Sequence, residues 1–292
     1  VNRQPLRLAI LEAARVLTDA GVPSPQADAE MIAAHVLDVE RGRLPLVPLV
    51  DPSVVDAIGK LAQRRAKRIP LQHILGWAGF GDVTLQVGPG VFVPRPETEL
   101  LLEWGGKAVA GKRHPVLVDL CTGSGALALG LARARPDAVV YAVDADANAL
   151  AWARRNAQAA ADAGDTPIRL YSGDVSDPTM FAELDGLVDL VVCNPPYVPW
   201  GAQVAPEVAD HDPEYAVYAG EGGLSVIRDV VTAAARLLNT GGGVAVEHDD
   251  THASAVPGLL SARRVLGEVV EHKDLAGRPR FVTAQRVDTL NV

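Results

Sequence analysis

The chain has 292 residues, enough for one large domain and a smaller companion. Hydrophobic residues make up 48% and charged residues 22%, which allows a sizeable core and excludes a disordered, highly charged chain. The formal net charge of −9 comes without an evident basic face, which disfavours a nucleic acid backbone as the main partner.

The first segment, Val1 to Val22, is apolar but interrupted by Arg7, Glu12, Arg15 and Asp19. It reads as an amphipathic helix and not a signal peptide. Leu6, Leu8, Ile10, Leu11, Ala14 and Leu17 supply its apolar stripe. Gly21, Val22 and Pro23 stop that helix; Ser24 then caps a second one with Pro25 in its first position. A third helix is expected from about Pro52 to Arg68. The densest basic run of the chain, Arg64, Arg65, Lys67 and Arg68, reads as its solvated face.

Between Leu71 and Pro96 glycines punctuate short β-prone pieces, Val83–Val87 and Val91–Val93, which predicts a β-hairpin linker. Pro94, Arg95 and Pro96 break the chain before a helix over Glu97 to about Val109. From Val116 onward strands and helices alternate. Strands are expected at 116–120, 139–143, 168–171, 187–193, 243–247, 264–271 and 280–286, with helices at 126–133, 147–161 and 223–238. That alternation implies a doubly wound, Rossmann-like, mainly parallel seven-stranded sheet in an α/β domain. The expected organisation is a helical domain over 1–75, a hairpin linker over 76–95 and the α/β domain over 96–292. No apolar run reaches the length of a membrane span. Cys121 and Cys193 stand far apart in sequence and in no metal-ligand spacing, which predicts no metal site, no disulfide framework and a cytoplasmic home. With no long apolar stripe left over, a monomer is expected.

The segment Asp119-Leu120-Cys121-Thr122-Gly123-Ser124-Gly125 joins the first sheet strand to its helix. Glycines here permit a tight turn and close backbone approach to a ligand. Asp144 follows the second strand, where a doubly wound fold places an acid that accepts from ribose hydroxyls. Gly123-x-Gly125-x-x-Ala128 formally satisfies a dinucleotide fingerprint, so NAD and S-adenosylmethionine both fit this much. Asp119 favours the second: a carboxylate there faces a pyrophosphate unfavourably but can hold a cationic amino group. Asp174, with Val175 beside it, follows the third strand and can accept from an adenine amino group.

The fourth strand runs straight into Asn194-Pro195-Pro196-Tyr197, so four strand ends converge on one crevice. The two prolines make a stiff segment with exposed carbonyl acceptors. The nitrogen of an amide or an aromatic amine is a poor nucleophile, because its lone pair is delocalised. The Asn194 side-chain oxygen and the Pro195 carbonyl can hold its two hydrogens and stabilise positive charge as it develops. Tyr197 can stack on the planar group. NAD chemistry has no evident need for this segment, so it settles the cofactor as S-adenosylmethionine.

Asp119–Gly125 with Asn194–Tyr197 resembles the class I methyltransferases that modify planar nitrogens. Further stretches narrow the resemblance to the HemK/PrmC family of protein-(glutamine-N5) methyltransferases: Pro70–Gly76, Phe92-Val93-Pro94-Arg95-Pro96-Glu97-Thr98-Glu99, Gly220–Leu224, Glu247-His248 and Asp274–Arg280. The resemblance covers nearly the whole chain. It implies transfer of a methyl group to the glutamine of the Gly-Gly-Gln loop in class I peptide chain release factors. It further implies that the small helical domain helps grip that protein, and that Phe92, Arg95 and Glu97 lie in a loop shaping the cofactor and substrate pocket. The same core serves glutamine methylation of a large-subunit ribosomal protein, and Asn-Pro-Pro-Tyr also suits adenine-N6 methylation of DNA or RNA. Two residues depart from the pattern. Cys121 replaces the first glycine of the loop, which a small residue can do at negative φ, and His252 stands where many relatives carry Gln. His73 and His248 read as packing or hydrogen-bonding residues.

Overall fold

The computed structural model describes residues 3–288; Val1 and Asn2, at the start of the expected amphipathic segment, and the last four residues lie outside it. The chain forms two compact units. One comprises the chain up to Trp77 together with Val204–His211; the other comprises Ala78–Gln203 and the chain from Asp212 onward.

The first unit is built on α1 (Leu6–Asp19), α2 (Pro25–Leu37) and α3 (Pro52–Ala66), with a short antiparallel pair, β1 (Gln4–Pro5) and β2 (Leu49–Val50), and a short helix, α4 (Leu71–Leu75). The buried stripe of α1 is Leu6, Ala9, Ile10, Ala13, Ala14 and Leu17, the i, i+3, i+4, i+7 set counted from Leu6. Leu8 and Leu11 fall between those rows and are 56% and 47% exposed, against the expectation that they join the stripe. Ser24 occupies the N-cap of α2 with Pro25 behind it, but its side chain makes no capping hydrogen bond. Pro25 lacks an N–H and pre-sets the helical φ, so the helix start does not depend on the serine.

The basic run at the end of α3 is not a uniformly solvated face. Arg65 is only 6% exposed and pairs with Asp28 at 2.7 Å and Glu207 at 2.8 Å. Arg68 meets the other oxygen of Glu207 at 2.7 Å. Burial alone would raise the Glu207 carboxyl, yet the two guanidinium groups hold it down at about 2. Glu207 lies on α8 (Pro206–His211), about 140 residues downstream, a partner that local charge patterning along α3 does not reveal.

In the second unit a hairpin, β3 (Trp77–Phe80) and β4 (Val83–Gln86), buries Ala78, Phe80, Val83 and Leu85 on alternate positions. These side chains share one apolar core with Leu101, Leu117 and Leu131. The hairpin expected as a linker is thus part of the α/β unit. Val91–Val93, the other β-prone piece, forms no strand.

The seven-stranded sheet consists of β5 (Val116–Leu120), β6 (Val139–Asp144), β7 (Arg169–Ser172), β8 (Val188–Cys193), β9 (Leu238–Glu247), β10 (Leu266–Lys273) and β11 (Pro279–Arg286). Its order is β10-β11-β9-β8-β5-β6-β7, with β11 antiparallel to both neighbours. Side chains alternate between two apolar layers. Leu117, Val140, Leu190 and Val192 face one side, with α5 (Glu99–Ala108) and α6 (Ala126–Ala134). Val118, Val143, Val191 and Cys193 face the other, with α10 (Ser225–Leu237) and α11 (Ala255–Ser261). The last sheet-flanking helix is α7 (Ala147–Asp162). Strand order reverses between β5 and β8, and ligands of open α/β sheets bind beyond the carboxyl ends at such a switch point. Among the described residues no helix is long and apolar enough to cross a membrane.

Candidate active site

A cavity of about 500 Å³ opens at that switch point. Its lining includes Phe92, Cys121, Gly123, Asp144, Asp174, Val175, Asn194 and Pro196. Gly123 has φ +58 and Gly125 φ +87, left-handed values that glycine adopts without strain. The Gly123 N–H donates to Asp144 Oδ2 at 2.8 Å, and Asp144 Oδ1 accepts from the Asp146 N–H at 2.9 Å. Asp144 thus ties the glycine loop to the end of β6. Burial pushes its carboxyl above the ordinary range.

Cys121 also has positive φ, +59, against the expectation of a negative value for a side-chain-bearing residue. The backbone turn that suits glycine is retained and the thiol tolerates it, at about 1 kcal/mol for an L-residue in this region. Register places Leu120 opposite Cys193, and Cys121 packs against the apolar layer that holds Cys193 although 72 positions separate them. Both are free.

Asp119, only 1% exposed, braces the loop from beneath and does not line the cavity. Its Oδ2 accepts from Thr122 Oγ1 at 2.6 Å and from the Ala128 N–H at 3.1 Å, while its Oδ1 has no partner. Burial raises its carboxyl to about 7, partly offset by those two hydrogen bonds. A buried carboxylate oxygen without a donor is costly, and a cation or N–H brought to it would relieve that cost. Thr122 is likewise buried, held by its bond to Asp119. Asp174 sits on the cavity wall in an Asx turn, its Oδ1 accepting from the Ser176 N–H at 2.8 Å.

Asn194 and Pro196 line the cavity; Pro195 is buried behind them. Asn194 Nδ2 donates to Thr98 Oγ1 at 3.0 Å, and Thr98 donates to Glu247 Oε2 at 2.7 Å. Tyr197 is turned away from the cavity lining, its hydroxyl donating to Glu247 Oε1 at 3.1 Å. Burial, and the nearby Glu247 carboxylate, raise the Tyr197 phenol far above its ordinary value, so it stays a neutral donor.

Residues 9–76 match the PrmC N-terminal domain family, and residues 83–211 match the methyltransferase small domain family. The release factor glutamine methyltransferase of Mycolicibacterium smegmatis is 53% identical over 284 residues, covering 97% of this chain and 98% of that protein. The Streptomyces coelicolor protein of the same name is 48% identical, with 95% and 96% covered. The chain belongs to the release factor glutamine methyltransferase family. It is therefore a methyltransferase. Its fold is shared with the 16S rRNA N2 G1207 methyltransferase of T. thermophilus, solved in complex with AdoMet and guanosine. The TM-score is 0.52 at 23% identity, over 72% of this chain and 49% of that one.

Three further stretches of the family pattern have physical roles in this methyltransferase. Arg95 stacks its guanidinium 4.6 Å over the Phe92 ring and pairs with buried Asp212 at 2.5 Å. It thus secures the wall residue Phe92 without lining the cavity itself. Glu97 is exposed in the single 3₁₀ turn Pro96–Thr98, which replaces the first turn of the expected helix. Gly223, with φ +67, is the tightest glycine of the site: a Cβ there would lie 2.2 Å from the Tyr197 carbonyl oxygen and 2.9 Å from His252 Cε1. His252 is buried against this turn, its Nε2 3.1 Å from the Gly222 carbonyl. His248 is fully buried, its ring nitrogens engaged by the Asp249 carbonyl and Glu271.

Several cavity residues escaped the sequence reading. Asp146 caps α7 and accepts from the Tyr215 hydroxyl at 2.7 Å; both line the cavity, as does Asp229 on α10. An Asp two residues past the strand-end acid is a helix-cap signal legible in sequence. Tyr215, in the short helix α9 (Glu214–Val217), has no such signal, because only the tertiary fold brings it to Asp146.

Proposed function

We propose that this methyltransferase moves a methyl group from S-adenosylmethionine to the side-chain amide nitrogen (N5) of the glutamine in the Gly-Gly-Gln segment of class I peptide chain release factors. The observation that carries the reading is Asn194-Pro195-Pro196-Tyr197 emerging from β8 at the cavity, with the Asn194 amino group already committed to Thr98. Near-full-length similarity to release factor glutamine methyltransferases favours the glutamine substrate over an adenine amino group. The four acids on the cavity wall, Asp144, Asp146, Asp174 and Asp229, suit a cationic cofactor and disfavour a phosphate backbone.

The residues present fit the cofactor. The partnerless Asp119 Oδ1 is an acceptor for a cationic amino group, reached directly or through water. Asp144 accepts from ribose hydroxyls, Asp174 from an adenine amino group, and Cys121, Thr122, Gly123 and Gly125 supply the loop that a ligand approaches at backbone level. Val143, Val175 and Val226 add apolar wall for a flat base. When bound, S-adenosylmethionine supplies a methyl group activated by its sulfonium.

The chain's own task is to aim a poor nucleophile. Asn194 Oδ1 and the Pro195 carbonyl accept the two N–H hydrogens of the substrate amide, which directs its nitrogen and stabilises the charge that develops on it. Pro196 keeps the segment stiff, and Tyr197 is clamped by Glu247. The surplus proton leaves along one of the two hydrogen bonds to water. The release factor is thus a protein partner, gripped with help from the helical unit. With both thiols free, we place the enzyme in a reducing compartment, the cytoplasm, and we take it to act as a monomer.

Asn194→Ala tests the assignment of the acceptor. Calorimetry is expected to show S-adenosylmethionine affinity within about threefold of wild type, while kcat on the release factor falls at least about a hundredfold, the scale of removing one such transition-state contact. Unchanged kcat at saturation would remove Asn194 from the chemistry.

A further inference from the structure

An asparagine side chain offers an acceptor at one end and two donors at the other, and only its partners decide which end faces a substrate. At Asn194 that decision is made by a buried relay. Thr98 Oγ1 has one hydrogen and gives it to Glu247 Oε2 at 2.7 Å. Its remaining capacity is to accept, and it accepts from Asn194 Nδ2 at 3.0 Å. An ionised carboxylate only accepts, so the relay runs one way, from Asn194 through Thr98 to Glu247, and leaves Asn194 Oδ1 as the end available for a donor. Glu247 is 1% exposed and Thr98 4%, so water does not compete for these bonds.

We propose that Glu247, acting through Thr98, is a positioning residue that sets the direction of the Asn194 amide and so makes an acceptor, not a donor, the group offered to the substrate nitrogen. Protonated Glu247 can instead donate to Thr98, turning the threonine hydrogen toward Asn194 and favouring the flipped amide. A substrate NH₂ would then meet an NH₂. The inference rests on the proposed use of Asn194 Oδ1 and extends it to two residues that do not touch substrate.

The state of Glu247 is balanced near neutrality. Burial raises it to about 7; the hydrogen bonds from Thr98 and Tyr197 and the charge of Arg280 pull it down, and Glu97 pushes it up. Arg280 remains a cation, and the neighbouring His248 is turned to Glu271 and the Asp249 carbonyl. Tyr197 is a neutral donor on the second oxygen, with Asp249 adding to its elevation. The ordering therefore holds above about pH 7 and weakens below it.

The test uses the full chain, S-adenosylmethionine at saturation and a release factor substrate, with kcat measured from about pH 6 to about pH 9. Wild type is expected to show kcat rising with pH with an acid limb near neutrality. Glu247→Gln is expected to lose both that limb and at least about tenfold in kcat, with cofactor affinity retained. Thr98→Val, which cannot accept from Asn194, is expected to lose about as much, and Thr98→Ser to recover most of the rate lost in Thr98→Val. An unchanged acid limb in Glu247→Gln, or equal kcat for the Val and Ser variants, would overturn the proposal. Should Glu247→Gln fail to fold, the Val and Ser pair decides alone. Full kcat in Asn194→Ala would instead sink the underlying reading, whereas an inactive Asn194→Ala beside a fully active Thr98→Val would sink only this inference.

Discussion

Asp119→Asn separates what the buried acid does for the fold from what it does for the cofactor. The folded protein holds the Asp119 proton up to about pH 7, whereas the ordinary value is 3.8. Between those limits the folded state binds more protons than the unfolded chain, so its stability falls as pH rises and stays low above the folded value. Holding the carboxyl that far from its ordinary value costs about 4 kcal/mol once both states are ionised. Asparagine keeps an oxygen for Thr122 and the Ala128 N–H but carries no charge. The stability gained by the variant over wild type should therefore grow by about 2 to 3 kcal/mol between pH 5 and pH 8. For a unit of this size that is a difference of roughly 5–10 °C in melting temperature. Urea unfolding of both proteins at the two pH values, without cofactor, reads it directly; groups common to the two cancel. The same substitution should weaken S-adenosylmethionine at least about tenfold at pH 8, since a charge-assisted contact becomes a neutral one. A variant destabilised equally at both pH values would show Asp119 to be an ordinary structural brace whose ionisation costs the fold nothing.

Two further substitutions probe the backbone of the site. Gly223→Ala forces a methyl group within 2.2 Å of the Tyr197 carbonyl oxygen, at a φ of +67. It should lower kcat at least about tenfold by displacing the Asn-Pro-Pro-Tyr segment; wild-type kinetics would show that the turn yields without consequence. Cys121→Gly removes the strain of a φ of +59 and should raise stability by about 1 kcal/mol with cofactor affinity intact. A lower melting temperature would mean that the packing of the thiol against the apolar layer outweighs that strain.

The α/β alternation was legible because each strand is a short apolar run bounded by turn residues, and the strands observed lie within a few residues of those expected, except that β9 starts five residues earlier, at Leu238. The glycine loop and Asn194–Tyr197 were legible because their chemistry is local in sequence. What was hidden depends on partners distant in the chain. Arg65 looks like any surface arginine until Asp28 and Glu207 enclose it. Tyr215 becomes a cavity residue only by reaching Asp146. Cys121 in the left-handed region is opposed by local preference and held there by the loop's hydrogen bonds to Val143 and Asp144. Glu247 and Thr98 were legible as parts of a family pattern, but their link lies across 149 positions.

Methylation of one glutamine of a release factor is measured as transfer of a labelled methyl group from S-adenosylmethionine to a purified class I release factor, beside its Gly-Gly-Gln→Gly-Gly-Ala variant and a DNA duplex. Label is expected on the wild-type factor and none on the variant or the duplex. Label on the duplex alone, or equal label on the factor and its variant, would contradict that substrate.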